Sequence, residues 1–261
     1  MPVATPKAIV LRAAGTNCDR ETQFALEQSG FQAERVHVFR LMEKPSSLRD
    51  YQFLVIPGGF SYGDDVAAGK ILANQMIHHL AGALNEFVAA GKLVLGICNG
   101  FQAMLKAGLL PWGRVDGATA NRDATLAWND SGRFEDRWVH LRAGSNKCVF
   151  LPAGEIVALP IAHGEGKFIP RDNAVLDALR GADQVAVRYA DAGGKPGPYP
   201  VNPNGSVDDI AGICDPTGRV LGLMPHPERF VDITQHPRWT AGHVSRPDGA
   251  IFFQRAYEAL R

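Results

Sequence analysis

No apolar run in this 261-residue sequence reaches the roughly 18 residues that a membrane-spanning helix needs. Neither sign of charge is in excess, because 27 Lys and Arg stand against 27 Asp and Glu. A protein that grips nucleic acid by neutralising phosphates, or docks on anionic lipid through a polybasic face, carries a basic surplus that is missing here. No nucleic-acid or membrane partner is expected. Cysteine is scarce, with only Cys18, Cys98, Cys148 and Cys214. None forms a C-x-x-C pair or stands at zinc-finger spacing from a histidine, so no metal site is expected. Residues 1–7 lack the charged-then-apolar layout of an export signal, which makes cytoplasm the expected location and buried, reduced thiols the expected state. What is present is ordinary for a folded chain. Hydrophobic residues make up 46% and charged residues 21%, and the length suffices to bury a core without metal or disulfide staples.

Strand and helix signals alternate through the first 110 residues. Residues 7–12, 35–39, 53–56 and 93–97 are short apolar runs of strand character. Residues 19–30, 71–90 and 101–107 carry apolar side chains at helical spacing, the first two stretches stopping at Gly30 and Gly91. The middle is more β-like, at 138–141, 156–161 and 185–189, and residues 192–206 are a Gly-, Pro- and Asn-rich loop. Strands at 210–214 and 220–224 flank the turn Asp215-Pro-Thr-Gly218, and 248–260 reads as an amphipathic helix. Continuous apolar strands alternating with helices predict an α/β fold. The expectation is one domain over residues 1–261, with an open, mostly parallel mixed sheet and helices on both faces.

In such a sheet, ligands gather beyond the carboxyl ends of the strands. Two strand exits carry the glycine-flanked spacing of a nucleophile elbow: Gly59-Phe-Ser61-Tyr-Gly63 and Gly96-Ile-Cys98-Asn-Gly100. Small neighbours let the chain turn sharply and lift the middle side chain clear. The first turn of the next helix then offers unpaired N–H groups, from which a thiolate gains directly. The residues after each elbow separate the two. Phe101-Gln-Ala-Met-Leu-Lys-Ala107 is a helix former that starts at once, whereas Asp64-Asp-Val-Ala-Ala-Gly69 delays one. Cys98 is therefore the leading nucleophile, with Ser61, as in a serine hydrolase, the rival. A Walker loop is excluded, because five residues rather than four separate Gly63 from Gly69-Lys70 and Ile71 stands where Ser or Thr belongs. The Gly58-Gly59 turn is better placed to aim N–H groups at the crevice of Cys98 as part of an oxyanion hole. A glycine pair is also free to take more than one peptide orientation, which makes this turn a candidate switch.

A cysteine nucleophile needs a base and a group to orient it. Of the eight histidines, His226 stands at a strand exit in Met224-Pro-His-Pro-Glu228. Pro227 holds it extended, and side chains two apart in an extended segment project to the same side. Glu228 is thus placed to hold one imidazole nitrogen while the other faces Cys98. His163, in a Gly-flanked loop, is the runner-up. The remaining six read as solvated or structurally bonded.

Pro57-Gly-Gly-Phe-Ser-Tyr-Gly-Asp64, Gly96-Ile-Cys-Asn-Gly-Phe-Gln102 and Pro225-His-Pro-Glu-Arg229 resemble the signature segments of class I, triad-type glutamine amidotransferases. More narrowly, the chain resembles the glutaminase subunits of phosphoribosylformylglycinamidine synthase. Gly15-Thr-Asn-Cys-Asp-Arg-Glu21, Asn129-Asp-Ser-Gly-Arg-Phe-Glu135, Ile161-Ala-His-Gly-Glu-Gly-Lys-Phe168 and Asn202-Pro-Asn-Gly-Ser206 support the narrower match, which runs from about residue 7 to residue 232. The resemblance implies Cys98 as nucleophile, His226 as base and Glu228 as its orienter. It also implies an oxyanion hole from Gly58-Gly59 and the Asn99 N–H, with Gln102 among the substrate-binding positions. It further implies L-glutamine as substrate and no cofactor on this chain. ATP and Mg would be used by a partner synthetase subunit, with a small accessory subunit in the same complex. Two departures are visible: Asp65-Val66-Ala67 stands where many members carry Tyr-Leu-Arg, and residues 235–246 look like an extension. A chain of this fold that binds a synthetase without catalysis is the reading from another class.

Overall fold

Phe53-Leu-Val-Ile56 and Leu93-Val-Leu-Gly-Ile97 contain no polar side chain, and a strand with none has to be covered on both faces. The computed structural model, which describes residues 5–116, 122–242 and 244–261, puts both runs, fully buried, near the middle of a nine-stranded sheet. Its strands are β1 (Lys7–Arg12), β2 (Gln32–His37), β3 (Phe53–Ile56), β4 (Leu93–Ile97), β6 (Glu135–Ala143), β7 (Ile156–His163), β9 (Val185–Ala190), β10 (Ile210–Cys214) and β11 (Val220–Leu223). The order is β2-β1-β3-β4-β11-β10-β9-β6-β7. From β2 to β11 neighbours run parallel, and from β11 to β7 they run antiparallel. The sheet is therefore mixed, and the parallel half holds the strand exits that matter. A separate two-stranded ribbon joins β5 (Ala124–Ala127) to β8 (Lys167–Pro170).

The helices are α1 (Asp19–Gln28), α2 (Val38–Glu43), α3 (Lys70–Gln75), α4 (Ala81–Ala89), α5 (Asn99–Ala107), α6 (Asn173–Gly181) and α7 (Ala250–Glu258). None of them, among the described residues, is long and apolar enough to cross a membrane. The second strand ends two residues sooner than its apolar run suggests. His37 caps α2 by accepting the Phe39 N–H at 3.3 Å, and Val38 and Leu41 bury themselves as helical neighbours. The long helix expected at 71–90 is interrupted by a π turn at Met76–Leu80. α6 lies where no helix is expected from the sequence, yet its signals are present: Asp172 caps the Val175 N–H at 2.9 Å, and Val175, Leu176 and Leu179 form the buried stripe.

Two contacts set the geometry of the site. A Cβ on Gly100 would lie 1.9 Å from the Ile56 carbonyl oxygen, and one on Gly96 would lie 2.2 Å from the Met104 sulfur and 3.0 Å from the Gly100 carbonyl carbon. α5 thus rests directly on the ends of β3 and β4. At the far side of the sheet β7 is the last strand, but its outer edge is occupied. The Ala158 N–H donates to Asp248 Oδ2 at 2.8 Å, and the Pro160 carbonyl accepts the His226 N–H at 2.9 Å. Arg246 ion-pairs with Glu155 and with Asp248, which ties the 235–246 extension to the same edge. Gly100→Ala is expected to destabilise the protein by at least the about 1–3 kcal/mol typical of overpacking. The shift of the urea midpoint at unchanged slope measures it.

Candidate active site

β4 ends at Ile97, α5 begins at Asn99, and Cys98 alone makes the turn. Its backbone sits at φ 51° and ψ −106°, a region that L-residues rarely occupy and that costs about 1–3 kcal/mol. The Cys98 N–H donates to the Leu223 carbonyl of β11 at 2.8 Å, and its carbonyl accepts the Gln102 N–H at 3.0 Å, so strand and helix hold the turn from both sides. The sulfur lies 3.7 Å from the Ala162 carbonyl at the end of β7. It faces a cavity of about 300 Å³ bounded by Gly59, Gln102, Phe134, His163 and Glu165. A larger open cavity of about 710 Å³ lies against Asp130 and Tyr199 and touches none of Cys98, His226 or Glu228. Its size therefore says nothing about the chemistry.

His226 and Glu228 leave the end of β11 together, both essentially buried. The Nδ1–H of His226 donates to Glu228 Oε1 at 2.6 Å. Burial works against a charged ring. The negative charge of the Glu228 carboxylate, with the Cys98 and Cys18 sulfurs near the ring, outweighs it and carries the His226 pKa well above its ordinary 6.5. The ring is therefore biased toward its charged form at the exit of β11.

The Gly58-Gly59 turn is not loose. Thr16 and Gly59 form an antiparallel bridge, Phe60 N–H donates to Gly15 O at 3.0 Å, and Cys18 N–H donates to Gly58 O at 3.4 Å. A Cβ on Gly59 (φ 138°) would fall 2.7 Å from the Asn17 nitrogen. The freedom expected of a glycine pair is thus cancelled by residues 15–18, which clamp one side of the turn and leave the Gly59 N–H unspent by these bonds. The Asn99 N–H belongs to the first turn of α5, where no intrahelical acceptor exists. The Asn99 side chain is a brace: its amide nitrogen donates to Asp64 Oδ1 and Gln102 Oε1, both at 3.0 Å, and its oxygen accepts the Ser61 N–H at 3.1 Å. The Gln102 amide donates in turn to the Glu165 carbonyl at 2.7 Å.

The rival residues sit elsewhere. Ser61 is buried, its hydroxyl finds no partner among the described residues, and a short 3₁₀ turn rather than a helix follows it. His163 lines the Cys98 cavity, but its Nδ1 donates to Asn129 Oδ1 at 3.1 Å. Burial, with His226 nearby, pushes its pKa down to about 3, too weak a base for a thiol. His78 and His79 are exposed, His37 caps α2, His140 lies in β6 and His236 packs on Trp138 at 4.4 Å. His243 lies outside the described residues. All four cysteines are buried and unbridged.

Residues 5–258 match the family of CobB/CobQ-like glutamine amidotransferase domains. The chain belongs to this glutamine amidotransferase family. It is 46% identical over 258 residues to the phosphoribosylformylglycinamidine synthase subunit PurQ of Dehalococcoides mccartyi, covering 98% of each chain. With the subunit of that name from Treponema denticola it shares 45% over 247 residues, 88% of this chain and 90% of the other. Among solved structures, PurLQS from Thermotoga maritima contains a chain 33% identical, with a TM-score of 0.74, matched over 99% of this amidotransferase and 100% of that chain.

Two residues of the site are not legible in the sequence. Cys18 lies with its sulfur 4.0 Å from His226 Nδ1, and Asn129 grips His163 through both its ring and its carbonyl. Cys18, His226 and Glu228 are the one trio of potential metal ligands among the described residues, their ligand atoms within 4.8 Å of one another. Nδ1 and Oε1 are spent on each other, and the Arg229 guanidinium stands 3.1 Å from the sulfur, an arrangement that holds a ring rather than a cation.

His163 generates a prediction. The unfolded chain titrates this residue near 6.5, the folded chain only near 3. Above pH 6.5 both states hold it neutral and its contribution is fully present. As pH falls from 6.5 towards 3 the unfolded state takes a proton that the folded state refuses, so stability is lost, on the order of 5 kcal/mol at the acid end. Urea midpoints of His163→Gln should decline less steeply than those of wild type through that window.

Proposed function

We propose that the chain is the glutaminase subunit of a phosphoribosylformylglycinamidine synthase, hydrolysing L-glutamine with a Cys98–His226–Glu228 triad. The observation that carries the reading is the strained Cys98 at the foot of α5, beside a buried imidazole already hydrogen-bonded to a carboxylate. The identity of 46% with a PurQ subunit supports the particular reaction.

The Cys98 thiolate attacks the side-chain amide carbon of glutamine. The tetrahedral oxyanion is held by the Gly58-Gly59 turn, through the Gly59 N–H, and by the Asn99 N–H. Each such donor is worth about 10²–10³ in turnover. His226, protonated beforehand, gives its proton to the departing ammonia, and a glutamyl thioester remains on Cys98. The neutral imidazole then takes a proton from water, hydroxide attacks the thioester, and glutamate leaves. Glu228 keeps the ring in one tautomer and stabilises its cation throughout. Gln102 and Asn99 brace the wall of the glutamine cavity.

The ammonia passes to an ATP-dependent synthetase subunit that converts formylglycinamide ribonucleotide to formylglycinamidine ribonucleotide, a step of purine synthesis, with a small accessory subunit in the complex. ATP and Mg bind the synthetase, this chain holds no cofactor, and the location is the cytoplasm.

Cys98→Ala should abolish glutamine hydrolysis and glutamine-dependent synthesis in the assembled complex while ammonia-dependent synthesis continues. Loss of both syntheses, or survival of glutaminase activity, refutes the assignment. Calorimetry of the isolated chain with Mg-ATP should give no micromolar isotherm, since the Gly63–Ile71 stretch has the wrong spacing for a phosphate loop.

A further inference from the structure

Glu228 uses only one of its carboxylate oxygens. Oε1 accepts the His226 Nδ1–H at 2.6 Å, whereas Oε2 is buried without a partner among the described residues. The next residue in the chain is Arg229, whose guanidinium senses the Glu228 charge. A bidentate arginine–carboxylate pair is among the strongest hydrogen-bonded pairs available, so Arg229 is the natural competitor for Glu228. It is drawn elsewhere: Nη2 donates to the Cys18 sulfur at 3.1 Å and Nε to Glu21 Oε1 at 2.9 Å.

Resting on the triad reading above, we infer that Cys18 is a positioning residue whose sulfur holds Arg229 off Glu228 and seats the His226 ring. Cys18 immediately precedes α1, and its thiol donates to Asn17 Oδ1 at 3.2 Å, which leaves the sulfur lone pairs for Arg229. A Cβ on Gly58 would lie 3.1 Å from that sulfur and 2.7 Å from His226 Cε1, so sulfur, imidazole and the oxyanion turn are in mutual contact. The Cys18 N–H bonded to the Gly58 carbonyl closes the same unit through the backbone.

The element matters. Sulfur is a weak acceptor, so at 4.0 Å from Nδ1 it does not take the ring proton from Glu228. A serine oxygen is a stronger acceptor on a shorter arm. It reaches Arg229 less well and competes for Nδ1–H. Alanine leaves Arg229 Nη2 without an acceptor, one residue from a buried carboxylate oxygen that has no donor. With Nε still held by Glu21, Nη2 is then the group left to turn toward Glu228. The groups that face His226 are Glu228, Cys98 and Cys18, with His163 neutral at working pH and Arg229 behind Cys18. Pairing of Glu228 with Arg229 weakens the chief attraction for the imidazolium, so the charge that assists Cys98 is lost at lower pH.

The test is the rate of Cys98 alkylation by iodoacetamide against pH, read on the Cys98 peptide by mass spectrometry in the full chain. In Cys18→Ala, alkylation at pH 7 should fall about tenfold and its midpoint should move to higher pH. With the synthetase present, kcat for glutamine hydrolysis should fall by a similar factor and KM should change less than about twofold. Removing the competitor as well, in Cys18→Ala/Arg229→Gln, should recover most of both losses, a rescue that a merely structural role does not give. Cys18→Ser, the closest in size, should lie between wild type and Cys18→Ala. A wild-type alkylation profile in Cys18→Ala, or a double variant no better than the single, overturns the inference. Alkylation needs neither glutamine nor a partner. A shifted and rescued profile in a protein that never hydrolyses glutamine therefore counts against the proposed function and for the role of Cys18.

Discussion

The contact between Gly100 and the Ile56 carbonyl is the constraint from which the site is built. Without side-chain bulk at that point, α5 settles onto the ends of β3 and β4, and the single residue between strand and helix has no room for an ordinary turn. Cys98 accepts the left-handed backbone because β11 holds its N–H and the first turn of α5 holds its carbonyl. The strain of a few kcal/mol is sustained by a sheet that is buried on both sides there. What results is a sulfur fixed in direction before any substrate arrives.

Preorganisation extends outward through polar groups with few spare valences. Asn99 ties α5 to Ser61 and Asp64, Gln102 ties it to Glu165, and residues 15–18 clamp the Gly58-Gly59 turn. Each bond is modest, of order 1 kcal/mol net, but a donor aimed at a developing charge gains from not having to reorient. The electrostatics follow the same plan. Glu228 stabilises a cationic His226 in a place where burial alone would keep it neutral, whereas His163, equally buried but bonded to the neutral Asn129 amide, is held uncharged. Two histidines near one cavity are thus assigned opposite states by their neighbours.

Much of this is legible along the chain. The unbroken apolar runs at 53–56 and 93–97 announce central parallel strands, and glycines at both sides of Cys98 announce a sharp turn, because these signals lie within a few adjacent residues. The pairing of His226 with Glu228 spans two positions and can be read from Pro227. Cys18 cannot be read in the same way. It is 208 positions from His226, and only the pairing of β1 with β3, β3 with β4 and β4 with β11 brings the two strand exits near each other. The Gly58-Gly59 turn misleads for a related reason: a glycine pair is free until a distant segment packs on it, and residues 15–18 do so. α6 is obscured despite a clear cap and apolar stripe, because stronger strand signals lie on either side of it.

The last strand of the sheet carries a wider consequence. An unpaired edge invites another chain to add a strand, the usual route to uncontrolled association of β-proteins. On β7 several outward-facing groups already have neighbours: the Ala158 N–H on Asp248, the Pro160 carbonyl on the His226 N–H, and the Ala162 carbonyl 3.7 Å from the Cys98 sulfur. At the opposite margin β2 presents Glu34 and Arg35. Charged side chains of this kind disfavour the addition of a strand. On β7 the protection against aggregation and the support of the reactive cysteine come from the same row of backbone atoms.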